Sequence, residues 1–114
     1  MDSKTDKEIL ILAAKAFGLV DYVYMDTSTW DNPSGVIYSR GRGCWDPLVD
    51  NGQAFELMVY LKFSVEHVYD YGQRVMGGNG EYWAVVPYNG DPIAVTRRAI
   101  VMAAAKLAEG SYGH

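Results

Sequence analysis

Two short stretches hold the side chains best suited to chemistry. In the first, Arg40 and Arg42 alternate with Gly41 and Gly43, and Cys44, Trp45 and Asp46 follow. In the second, Thr96, Arg97 and Arg98 are consecutive. A guanidinium offers a planar fork of donors that suits phosphate or carboxylate. Glycine lets backbone approach a ligand closely, and an indole offers a stacking face. Thr96 would donate a hydrogen bond to the same anion. Converging in space, Arg40, Arg42, Trp45, Thr96, Arg97 and Arg98 would make a ligand-binding site for a nucleotide-like anion.

Each residue also has a plainer reading. Adjacent helical residues point about 100° apart, so Arg97 and Arg98 cannot both face one ligand squarely. One would pair with an acid and the other lie in solvent. A Trp ahead of a helix is commonly a hydrophobic anchor. The stretch from Cys44 to Gly52 reads mainly as a helix start. The preceding Ser39–Gly43 has the binding potential, because nothing in the fold obviously requires two arginines there.

Catalytic motifs are thin. Cys44 as a nucleophile would need a histidine beside it, and the chain has only His67 and His114. One Cys and two His are too few for a zinc site at sensible spacings. The glycine-rich loop lacks the Gly-Lys-Ser/Thr ending of a P-loop. No pair of acids stands out for general acid–base work. The expectation is a non-enzymatic protein with no catalytic residue, no metal and no cofactor.

Helices and strands must position these residues. Lys4 to Phe17 reads as a helix, with Ile9, Leu12, Ala13 and Ala16 as its apolar stripe, Ser3 or Thr5 as cap and Gly18 as stop. Leu19 to Asp26 is β-branched and aromatic and reads as a short strand. Asn32 to Gly35 is a turn signal, and Val36 to Ser39 is a strand or extended segment. Asp50 caps a second helix to Leu61, with Ala54, Leu57, Met58 and Leu61 inward. Phe63 to Gly72 and Tyr82 to Tyr88 read as a hairpin across the Met76–Glu81 turn. Asp91 caps the last helix, Pro92 takes its first position and Gly110 ends it. Its inward residues read as Ile93, Ala99, Ile100, Ala103 and Leu107. The fold class is α+β: residues 1–114 as one domain, a small antiparallel sheet with about three helices packed on it.

The totals narrow the function classes. A chain of 114 residues, 49% hydrophobic, can form a core without disulfides. The single cysteine makes no internal disulfide, which fits a reducing compartment. No run approaches the roughly 18 apolar residues of a membrane span, and the first residues lack a signal-peptide layout. A net charge of −4 disfavours general nucleic-acid binding, which rests on many Lys and Arg. Nine Tyr and three Trp favour a binding surface without locating it.

The residues Trp45, Pro47, Asp50 and Ala54, followed by Ala94, Thr96, Arg97, Arg98, Ala99, Ile100 and Val101, resemble the NinX-like family of small phage and prophage proteins. The likeness covers roughly the C-terminal two thirds and is most specific in the last helix. At Asp50–Gln53 that family is often more acidic. The resemblance implies phage origin, a non-essential accessory gene and no established activity. With the single cysteine and the absence of a membrane-span or signal-peptide pattern, the expected location is the host cytoplasm.

Three functions follow in order of preference. The first is a binding protein used against the host, which either engages a host protein or sequesters a small anionic ligand such as a nucleotide. The second is a homo-oligomeric interaction protein with its aromatics buried between copies. The third is an enzyme.

Overall fold

Thr5 opens the first helix with a reciprocal capping box. A computed structural model describes residues 5–26, 35–68, 70–77 and 82–110. The Thr5 hydroxyl accepts from the Glu8 amide, and the Glu8 carboxylate accepts from the Thr5 amide at 2.8 Å. Helix α1 runs Asp6–Phe17 and stops at Gly18, whose φ of 87° is left-handed. Its buried face is Ile9, Leu10, Ala13, Ala14 and Phe17. The stripe is rotated from the expected one: Leu12 and Ala16 are only half-buried. The helix is covered on two sides, so a single 3–4 spacing leaves out Leu10, Ala14 and Phe17.

Strands β1 (Tyr22–Met25), β2 (Val36–Ser39) and β3 (Gly43–Trp45) form one antiparallel sheet in that order. Tyr24, Ile37 and Trp45 lie in one row of it, and Val23, Tyr38 and Cys44 in the next. The first row turns inward: Ile37 and Trp45 are fully buried. The second row is exposed. The expected Asn32–Gly35 turn lies outside the described residues apart from Gly35.

Asp50 caps helix α2, Asn51–Tyr60, and its side chain accepts from the Gln53 amide at 2.8 Å. Ala54 and Leu57 are buried, with Met58 and Leu61 packed beside them, as expected. A second antiparallel sheet, in the order β4 (Ser64–Val68), β5 (Gly72–Met76), β6 (Tyr82–Pro87), follows. This corrects the single hairpin expected from sequence. Within the run Phe63–Gly72, residues Ser64–Val68 form β4 and do not pair with the Tyr82 strand; β5, which begins at Gly72, lies between them and pairs with both. Part of the expected Met76–Glu81 turn, residues 78–81, falls outside the described residues.

Helix α3, Pro92–Gly110, is the spine of the molecule. The Asp91 carboxylate accepts from the Ile93 amide at 3.0 Å. The helix packs on α1, on α2, and on β5 and β6. Ala99, Ala103, Ala104, Ala105 and Ala108 keep its buried surface low, which lets these neighbours approach. Ile93, expected inside, is exposed; Val95 takes that place. One core cluster draws on all three helices and both sheets. Among the described residues no helix is long and apolar enough to cross a membrane.

Candidate functional site

The Arg-Gly segment is the turn of the β2–β3 hairpin. Arg42 N–H donates to the Ser39 carbonyl at 3.1 Å, closing the turn around Gly41, whose φ is +88°. Two bonds tie this turn to the chain leaving α1. The Ser39 hydroxyl donates to the Val20 carbonyl at 3.1 Å, and Arg40 N–H donates to the Asp21 carbonyl at 3.3 Å. The turn therefore sits beside the end of α1, at a fixed place.

Beyond it the chain makes the helix start that the sequence suggests. The Asp46 carboxylate accepts from Leu48 N–H at 3.2 Å. Gln53 reaches back from α2: its amide oxygen accepts from Asp46 N–H at 2.6 Å and its amide nitrogen donates to the Cys44 carbonyl at 3.1 Å. These bonds hold α2 against the hairpin.

Between these parts lies a cleft of about 800 Å³. One wall is the end of α1, from Phe17 to Val20. The second is the turn, with Ser39, Arg40 and Arg42. The third is the outer face of α2, with Phe55, Glu56, Val59 and Tyr60. Four large apolar side chains on these walls are exposed: Val20 at 70%, Phe55 at 63%, Tyr60 at 58% and Val59 at 55%. Such convergence on one concavity is unusual for an isolated surface and is typical of a binding site. Phe17 forms part of the lining, stacked on Trp45 with centroids 5.4 Å apart and met edge-on by Tyr60 at 4.9 Å. The Arg42 guanidinium lies 5.1 Å over the Phe17 ring and pairs with Glu56 at 2.5 Å. No described residue makes an ion pair or side-chain hydrogen bond with the Arg40 guanidinium, which also lines the cleft.

The six residues singled out in sequence do not converge. Arg40 and Arg42 share the cleft. Trp45 is fully buried, so its ring supports Phe17 and offers no face to a ligand. The Thr96 hydroxyl accepts from the Gln73 amide at 2.7 Å and donates to the Pro92 carbonyl at 2.8 Å, joining β5 to α3. Arg97 donates to the Leu48 carbonyl and to the Asn51 side chain, each at 2.7 Å, clamping α3 to the segment before α2. Arg98 pairs with Asp6 at 2.6 Å, at the edge of a smaller cleft of about 410 Å³. Both partners are well exposed, so this pair contributes at most about 1 kcal/mol.

No family model matches the sequence, and no curated protein or solved structure matches it either.

Two other groups bear on reactivity. Cys44 is exposed on β3, whereas His67 belongs to the second sheet and shares a 2.5 Å hydrogen bond with the Tyr88 hydroxyl. The Tyr24 hydroxyl is held above its usual pKa, chiefly by burial and then by Asp26, Asp46 and Asp6, so it remains a phenol. Among the described residues no group of three or more His, Cys, Asp or Glu is placed to hold a metal ion.

Sequence reasoning misses Phe55, Val59 and Tyr60, although a signal for them exists. Helix α2 and its cap carry Ala54, Phe55, Leu57, Met58, Val59, Tyr60 and Leu61, so the helix is apolar around most of its circumference. A helix apolar all round is ordinarily buried on every side. One side of α2 is open.

Proposed function

We propose that this is a non-enzymatic binding protein, a phage accessory protein of the NinX-like kind acting in the host cytoplasm, and that its ligand lies in the cleft between α1, the Arg40–Arg42 turn and α2. The observation that carries this reading is the convergence of exposed Val20, Phe55, Val59 and Tyr60 on one concavity. Covering such side chains contributes roughly 25 cal/mol per Å² of apolar surface removed from water. The cleft volume lies within the roughly 300–1,000 Å³ usual for small-ligand sites. An apolar ligand suits it better than a nucleotide. A nucleotide would want several free cations and an open aromatic face, and Arg97, Arg98 and Trp45 are engaged elsewhere.

The test uses N-phenyl-1-naphthylamine, a neutral apolar dye that brightens out of water. The protein is expected to bind it. The double substitution Phe55→Ser and Val59→Ser is expected to weaken binding by roughly tenfold, through lost apolar burial. Both positions are exposed, so the melting temperature should hardly move. No brightening, or brightening indifferent to the double substitution, overturns the reading.

A second reading, homo-oligomerisation, is favoured by the exposed row Val23, Tyr38 and Cys44 across the first sheet. It expects a dimer mass in light scattering that Val23→Lys returns to monomer. A monomer mass at every concentration removes it.

A further inference from the structure

Resting on the cleft reading above, we propose that the ligand is a small amphiphile with one anionic head of carboxylate or sulfonate type, that the Arg40–Gly41–Arg42 turn receives the head, and that Glu56 is a built-in competitor for it. The apolar wall alone would accept any greasy group. The arginines make the further choice.

Arg40 and Arg42 are two residues apart on one turn, and both line the cleft. The turn is anchored through Ser39 and the Arg40 backbone, so the two guanidinium groups are carried by a fixed support. The Arg42 group already holds a carboxylate, that of Glu56, at 2.5 Å beside the Phe17 ring. This internal carboxylate marks where an incoming anion is received. Glu56 comes from α2, the opposite wall, between the exposed Phe55 and the helical turn that bears Val59 and Tyr60. A ligand whose body lies on that wall therefore brings its head within reach of the same arginines.

Charge complementarity gives the sign. Glu56 answers one of the two arginines, and no described residue answers Arg40. The cleft rim is thus locally positive in a chain of net charge −4. A neutral ligand leaves Arg40 unused. A single anionic head pairs with it and competes with Glu56 for Arg42. A polyphosphate would need more cations than the turn supplies.

Two dyes with one body separate the ligand's two ends. N-Phenyl-1-naphthylamine is neutral, and 8-anilinonaphthalene-1-sulfonate adds one sulfonate to the same rings. The readout is the ratio of their affinities for the full chain. The sulfonate is expected to bind about fivefold more tightly, a preference that added salt erodes. Arg40→Gln should bring the ratio close to one. Glu56→Gln should raise it severalfold by freeing Arg42. Both variants are at exposed positions, and circular dichroism checks that they remain folded. If the neutral dye binds but the sulfonate gains nothing, or if the ratio ignores Arg40→Gln, the anionic head is refuted and the apolar cleft stands. If neither dye binds, the cleft reading falls and this proposal falls with it.

Discussion

Replacing Trp45 by alanine is expected to cost about 3–5 kcal/mol, the range for truncating a large buried aromatic. Trp45 ends β3 with no exposed surface and stacks on Phe17 at 5.4 Å. It is paired across the sheet with Ile37, which is also fully buried. Alanine there leaves a void between the first sheet and α1, and it removes the support under Phe17 in the cleft. In a domain of this size total stability is roughly 5–15 kcal/mol, so the variant sits near the threshold of folding. Thermal unfolding should show a fall of about 12 °C or more. Trp45→Phe should behave differently. The indole N–H is buried with no hydrogen-bond partner among the described residues. An unsatisfied buried donor costs about 1–3 kcal/mol, and phenylalanine removes it. The smaller ring loses volume but sheds that penalty, so Trp45→Phe should lie within about 1.5 kcal/mol of the parent. A Phe variant as damaged as the Ala variant would show that the indole N–H is satisfied by something else.

The contrast also explains what the sequence could convey about this region. The helix starts were legible because capping chemistry is local. Thr5, Asp50 and Asp91 each satisfy amides two or three residues away, and each sits where its sequence context suggested. Strands β3 and β5 were not legible. Strand β3 is three residues long and begins with a glycine, so it has no periodicity to read. Strand β5 is central yet carries Gln73 and Arg74, residues that ordinarily mark solvent. Gln73 is buried because its amide reaches Thr96 on α3, and Arg74 pairs across the strands with Glu66 at 2.7 Å. Those partners are 23 and 8 residues away in sequence, beyond any local pattern.

The candidate site divides along the same line. The Arg40–Arg42 turn could be picked out because two arginines among glycines had no structural duty in sight, and in the fold they line the cleft. The likeness of Arg97 and Arg98 to a ligand fork ended once their partners were placed. Leu48, Asn51 and Asp6 lie 49, 46 and 92 residues away. Such pairings depend on how α3 packs against α1 and α2. The apolar wall of α2 became visible only when its third side proved to be uncovered. Helical periodicity shows which residues share a face. It does not show whether another element lies against that face.

Gly72→Ala is expected to be as damaging as any single methyl added to this protein, at about 3 kcal/mol, the upper end of the overpacking range. Gly72 starts the central strand of the second sheet, opposite Pro87 of β6. A Cβ there would stand 2.0 Å from the Val86 carbonyl oxygen and 2.7 Å from the Pro87 Cα. Both obstacles are backbone, so no side-chain rotation relieves them. The methyl must push β6 away from β5, and β6 packs on α3, the spine of the core. The damage should therefore spread beyond the strand end to the whole domain. Gly110→Ala supplies the control. Gly110 closes α3, a Cβ at that position would meet no described atom within 4 Å, and alanine favours helix over glycine by up to about 1 kcal/mol. Denaturant titration should place the Gly72 variant well below the parent and the Gly110 variant at or slightly above it. A Gly72→Ala midpoint equal to the parent would mean that β5 and β6 do not approach as closely as the register requires. The pairing of Gly72 with Pro87 at that end of the second sheet would then have to be redrawn.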